Sequence, residues 1–207
     1  MDTNVMNKIS YGLYVLTAVN CGFANGCIIN TLAQVTVSPN RVSVTVSKSN
    51  FTNYMIRQSG VFNVSVIDET ADFSLFERFG FASGRWENKF SRRTCEVAEN
   101  GVPYVNDGTC AYISCRVVST VDLGTHTMFI ADVTDAVSLS DSAPMTYAFY
   151  HANVKPKPAV RTEKADDSVK TEKWVCNICG YVYEGSLPED FVCPICKHGA
   201  GDFSRIE

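Results

Sequence analysis

This 207-residue chain lacks many of the features by which a sequence declares its function. No apolar run reaches the roughly 20 residues that a membrane-spanning helix needs, so no membrane partner is expected. The opening MDTNVMNKIS has no basic segment followed by an apolar one. No secretory leader is therefore expected, and the chain is read as cytoplasmic. Positive charge is not in excess. A net charge of −4 gives no reason to expect nucleic acid or an anionic surface as partner. There is no G-x-G-x-x-G; the nearest stretch, GFASGR at Gly80–Arg85, does not match it, which argues against a Rossmann site. Neither a nucleophile elbow nor H-E-x-x-H is present, and no internal repeat is visible.

Cysteine, by contrast, is plentiful. Nine cysteines in a chain expected to stay inside the cell read as thiols and metal ligands, not as a disulfide framework. Cys21, Cys27, Cys95, Cys110 and Cys115 are scattered and read as free thiols or small buried apolar groups. Cys21 and Cys27 flank a turn, which leaves a redox pair open.

The composition, 45% apolar and 19% charged, is that of a soluble globular protein. It changes between Ala152 and Glu172, where ANVKPKPAVRTEKADDSVKTE carries no aromatic residue and few apolar ones. Such a segment buries too little apolar surface to offset its ordering entropy. The expected organisation is a domain at 1–151, a linker at 152–172 and a small module at 173–207. The first domain reads mainly as strands. Val42, Val44 and Val46 alternate with Ser43, Thr45 and Ser47, the period of a half-buried strand. Val61–Asp68, Cys110–Val121 and Thr125–Leu139 are rich in β-branched residues, and Asp122-Leu123-Gly124 reads as a hairpin turn. A helix is expected over Phe51–Ser59, capped by Ser49 or Asn50. A second is expected over Asp72–Phe79, stopped by Gly80. Many strands and few helices predict a closed antiparallel barrel with helical additions.

The C-terminal stretch WVCNICGYVYEGSLPEDFVCPICKHGAGDF holds Cys176, Cys179, Cys193 and Cys196 as two C-x2-C pairs. Four soft thiolates at this spacing suit a tetrahedral Zn²⁺ or Fe site. His198 reads as a surface residue, because four sulfurs already complete the tetrahedron. Around the ligands, Gly180, Tyr181, Tyr183, Pro188, Asp190, Phe191 and Pro194 make the module resemble rubredoxin. That resemblance implies one iron per chain and an aromatic core of Trp174, Tyr181, Phe191 and Phe203. The interval between the pairs is shorter than in most free-standing rubredoxins, and Lys197-His198 replaces the usual glycine.

A one-electron carrier cannot exchange directly with a hydride donor, whereas a flavin bridges the two. An anion site is legible where Ser47–Ile56, SKSNFTNYMI, runs from strand to helix. Helix N-termini offer free N–H groups and a positive dipole end, although simple capping with a solvated lysine accounts for the same residues. YGLYVLTA, NGCIINTLAQVTVSP, VTVSKSNFT, FGFASGRWENKF and MTYAFYH together resemble the flavin reductase-like family over about residues 8–151. This implies a mainly β fold: an FMN-binding split β-barrel with short helices, plus the small rubredoxin-like module with its four-cysteine metal site. It also implies that Ile28, Asn30 and Thr31 line the isoalloxazine. Gln34 and Thr36 would meet the ribityl chain or phosphate, with Lys48, Ser49, Asn50 and Thr52 at the phosphate and His151 near the ring.

The two parts together resemble the high-molecular-weight rubredoxins. That resemblance implies that NAD(P)H reduces FMN, that FMN reduces the iron, and that a flavo-diiron nitric oxide or oxygen reductase is the acceptor. A homodimer is implied by the barrel family. The alternatives are a free-flavin or ferric reductase with an accessory module, and a carrier reduced by another protein.

Overall fold

The computed structural model describes residues 5, 8–85, 87–90, 96–156, 172–176, 181–193 and 199–206. Contacts divide the chain into two units, Met1–Val154 and Lys155–Glu207. Most of the expected linker, 157–171, lies outside the described residues, as do Cys95, Cys179, Cys196, Lys197 and His198.

The first unit is built on β1 (Tyr14–Asn20), β2 (Phe23–Ile29), β3 (Ala33–Val37), β4 (Asn40–Ser47), β5 (Val61–Ile67), β8 (Thr109–Asp122) and β9 (His126–Ser138). They form one antiparallel sheet in the order β2-β1-β5-β8-β9-β4-β3. Two short strands, β6 (Glu96–Val97) and β7 (Pro103–Tyr104), pair separately. β2 and β3 are edges that do not pair with each other, so the closed barrel expected from strand content is a split one. Alternation sets the inner face as expected: Val42, Val44 and Val46 are all buried. Register shifts at Ser114/Cys115 and Val117/Ser119 interrupt the β8–β9 ladder, and such bulges bend long strands.

The turns follow from their residues. Asn20 pairs with Phe23 across Cys21-Gly22, both at positive φ, as a two-residue type I′ hairpin requires. Gly124, at φ 79, closes the expected Asp122–Gly124 turn between β8 and β9.

Helix α1 (Phe51–Ser59) spans the expected residues. The Asn50 side chain caps it and Gly60, at φ 71, ends it. Its Met55 and Ile56 enter one core with Leu16, Ala18, Val44, Phe62, Val64 and Phe129 from four strands. Burial of each large apolar side chain contributes ~1.5–3 kcal/mol. The second core packs the opposite face of β1 and β5, through Val15 and Ile67, against Leu75, Phe76, Phe79 and Tyr150.

The second expected helix differs from its reading. Helix α2 covers Phe73–Phe76 only, and a π-helical turn, Glu77–Phe81, carries the chain past Gly80. Gly80 is not at positive φ. A Cβ there would lie 3.4 Å from Ile28, an ordinary contact, so packing leaves room for a side chain at this glycine, which does not end the helix. Short α3 (Tyr147–Phe149) and a π-helical turn, Tyr150–Val154, close the unit.

The second unit has β10 (Lys173–Cys176), β11 (Val182–Glu184) and β12 (Phe203–Arg205), with β10 central. Phe191 meets Phe203 with ring centres at 5.4 Å and Tyr183 at 4.5 Å. Tyr183 thus joins the expected aromatic core, together with Tyr181 against Phe203. Trp174 is half-buried, and its Nε1 has no acceptor among the described residues.

Phe129 is fully buried where α1 meets the sheet. Phe129→Ala should lower the unfolding free energy by ~3–5 kcal/mol in denaturant titrations. Val37→Thr, at an exposed edge position, should change it by less than ~0.5 kcal/mol.

Candidate functional site

The strand-to-helix junction after β4 forms one wall of a cavity of about 150 Å³. Asn50 Oδ1 accepts from Thr52 N at 3.0 Å, which opens the helix. Ser49, Asn50 and Phe51 face Asn25, Cys27 and Ile28 of β2 across the cavity, and the segment from Phe79 to Arg85, with Lys89, completes it. A second cleft of about 350 Å³ shares Asn25, Phe51, Gly84 and Arg85 and extends toward Cys21 and Phe23.

Lys89 is the unusual member, a lysine only 7% exposed. Its Nζ donates to Gly26 O at 2.8 Å and to Phe79 O at 3.2 Å. Burial pushes its pKa below the ordinary lysine value; Cys27 and Glu87 oppose this and Arg78 reinforces it. Arg78 lies 4.8 Å from the Phe79 ring centre and donates to the Lys89 carbonyl. Arg85, exposed, lies 5.5 Å from the Phe51 ring centre, and its Nη2 donates to Ser49 O at 3.4 Å. Burial pushes the Cys27 thiol upward in pKa, against lowering by Thr52, Lys89 and Asn50.

Of the residues singled out by sequence, Ile28, Ser49 and Asn50 meet at this cavity. Thr52 is buried in the first turn of α1 beside the Cys27 thiol, whose charged form it favours. Lys48 is not among the lining residues; its Nζ donates to Asp122 Oδ1 at 2.6 Å, joining the start of α1 to the β8–β9 turn. That contact holds the Asp122 carboxyl below the usual carboxylate range. Asn30 and Thr31 follow β2, and Thr31 Oγ1 donates to Thr45 O at 2.7 Å, tying the connection to β4. Gln34 and Thr36 sit on exposed β3, donating to Asn40 and to the Pro39 carbonyl. His151 is exposed and stands edge-on to Tyr147, with ring centres 4.5 Å apart. Sequence reasoning missed Asn25, Cys27, Arg85 and Lys89 as lining residues. The block FGFASGRWENKF was legible as a unit, but irregular backbone gives no period that separates lining residues from others.

In the second unit, Cys176 and Cys193 are buried. Cys176 N donates to Tyr181 O at 2.8 Å, bracketing the first C-x2-C pair, and a bridge between Val192 and Gly199 brackets the second. Two buried thiols at the mouths of short chain segments, in a unit with so small a core, fit a closed thiolate metal site.

Residues 6–156 match the flavin reductase like domain. The chain belongs to the flavin reductase-like family. Residues 174–204 match the rubredoxin-like domain described for rubrerythrin. The high molecular weight rubredoxin of Moorella thermoacetica is 38% identical over 100% of both chains. The ferric-chelate reductase (NAD(P)H) of Archaeoglobus fulgidus is 38% identical over 76% of this chain and 93% of its own. Among solved structures, the NADH:FAD oxidoreductase SgcE6 of Streptomyces globisporus shares the fold, with a TM-score of 0.63, 22% identity, and 69% and 84% of the two chains covered. This flavin reductase-like chain therefore has the two-domain composition of the high-molecular-weight rubredoxins, which implies a flavin and an iron. The cations at the cavity suit an anionic group, and the two buried thiols suit a thiolate-bound metal. No helix among the described residues is long and apolar enough to cross a membrane.

The geometry separates the thiols of the first unit. Cys21 is exposed, whereas Cys27 lies within β2, pairs with Leu16 and is buried. At ~3.3 Å per strand residue the two lie too far apart for a disulfide. Cys115 is buried, and burial pushes its thiol pKa up to about 12. Native alkylation followed by peptide mass spectrometry should label Cys21 readily and leave Cys27 and Cys115 unmodified. Equal labelling of Cys21 and Cys27 would show that the β2 edge opens.

Proposed function

We propose that this chain is an NAD(P)H-dependent electron-transfer oxidoreductase. Electrons enter at the barrel, pass to the rubredoxin-like module, and leave to a flavo-diiron protein that consumes nitric oxide or oxygen. Bound FMN supplies the step from hydride to single electrons, and an iron held by four thiolates carries electrons one at a time. The observation that carries this reading is the pairing, in one chain, of a cation-lined cavity in a flavin reductase-like barrel with a rubredoxin-like module.

Within that reading, residues 1–151 bind the flavin, 152–172 tether the module and 173–207 hold iron through Cys176, Cys179, Cys193 and Cys196. Ile28 would lie against the ring, and Ser49 and Asn50 would serve the phosphate end. The barrel would shield one side of the bound group from bulk water and orient it by fixed polar groups. A closed tetrathiolate site has no open position for hydride, so NAD(P)H must act at the barrel. The tether makes transfer intramolecular, at effective concentrations that reach the millimolar range. The chain is assigned to the cytoplasm as a homodimer. A second reading, ferric or free-flavin reduction with the module as accessory, is favoured by the Archaeoglobus relative, whose match covers 76% of this chain.

Anaerobic titration with NADH and then NADPH, followed at the flavin and thiolate–iron absorption bands together, tests the reading. Both bands should bleach in the intact protein. Cys193→Ser should abolish the iron band and leave reduction of the flavin band unchanged. A flavin band that bleaches while the iron stays oxidised would favour the second reading. Zinc as the sole metal would remove the electron-carrier role of the module.

A further inference from the structure

The link from β4 to α1 consists of Lys48, Ser49 and Asn50. Its own bonds run back to the strand end: Ser49 N donates to Ser47 Oγ at 3.3 Å, and Asn50 N donates to Ser47 O at 3.1 Å. Neither ties the link to the rest of the sheet. From the cavity side, Arg85 Nη2 reaches Ser49 O only at a long 3.4 Å.

The firm anchor comes from the β8–β9 turn, which holds Lys48 at two points. Its backbone N donates to Thr125 O at 2.9 Å, and its Nζ donates to Asp122 Oδ1 at 2.6 Å. The same Asp122 oxygen accepts from Gly124 N at 2.8 Å. One carboxylate oxygen therefore joins the cation of the link to the backbone of a turn that Gly124, at φ 79, shapes. Hydrogen bonds from Lys48 and the Gly124 amide hold the Asp122 carboxyl below the usual carboxylate range, and the charge of Arg57 on α1 adds to the effect. The turn is carried by long strands that pair with each other and with β4 and β5, so it moves little relative to the sheet.

Lys48 thus meets the site from outside. Ser49 and Asn50, the residues that follow it, line the cavity, and Lys48 does not. A link already ordered before a ligand arrives loses less freedom on binding, and the affinity is higher by that amount.

We infer that Asp122 is a positioning residue for the flavin site: through Lys48 it clamps the β4–α1 link to the β8–β9 turn and presets Ser49 and Asn50. The inference rests on the flavin reading above. It gives Lys48 its working partner in the protein and not in the ligand.

Equilibrium binding of FMN to the full-length protein, followed by fluorescence quenching, tests the clamp as a double-mutant cycle. The pair is exposed, so the effects are modest. Asp122→Asn and Lys48→Met should each weaken FMN by about threefold, and the double variant should be no weaker than either alone. Lys48→Asp combined with Asp122→Lys should restore affinity to within about twofold of wild type. Non-specific loosening of the loop would not be recovered by exchanging the two charges. Both positions are exposed, so these variants keep the fold. Unchanged affinity in Asp122→Asn, losses that add in the double variant, or an exchanged pair that recovers nothing would overturn the inference. So would a loss of about tenfold or more in Lys48→Met beside a small one in Asp122→Asn, the signature of a lysine on the ligand itself. A wild-type protein that binds no FMN would overturn the flavin reading, and the role of the clamp in binding with it.

Discussion

A nine-residue helix is too short to persist alone in water. Helix α1 exists because Met55 and Ile56 are buried within the curl of the sheet. Most of the candidate site depends on that packing. It fixes where the helix begins, and so where Ser49, Asn50 and the first-turn amides face. It also fixes the floor of the cavity, since Cys27 of β2 shares the same core. The bulges of β8 and β9 contribute by bending the sheet enough for one helix to touch several strands.

The two units are stabilised by different means. The barrel buries aromatic and β-branched side chains in two layers on either face of β1 and β5. The C-terminal unit has three short strands and a few rings, Tyr181, Tyr183, Phe191 and Phe203, packed edge to face or tilted. A core of that size is marginal by itself, and metal binding free energy is then folding free energy. The metal in such a unit stabilises the fold as well as carrying charge.

Legibility from sequence followed the regularity of the backbone. The alternating valines of β4, the cap and span of α1, and the Asp122–Gly124 turn were readable because strands, helix starts and turns impose fixed periods and residue types. The glycine after Phe79 does not stop its helix, because glycine adopts either sign of φ and here continues into a π-helical turn. Lys48 stood out beside a helix start, but sequence could not show Asp122 in the adjoining β8–β9 turn. Lys89 escaped notice because burial of a lysine has no local pattern. Cysteine spacing, by contrast, encodes ligand geometry directly.

The partners of Lys89 have a further consequence. Carbonyl oxygens steady an ammonium with partial dipoles, so its full unit of charge survives the contact. A carboxylate in their place would cancel that unit and compete with any arriving anion. Nor can carbonyls gain or lose protons, so the field at the cavity floor does not vary with acidity through its own supports. The charge at Lys89 is thus set by its burial and by its charged neighbours Cys27, Glu87 and Arg78, not by the carbonyls that hold it.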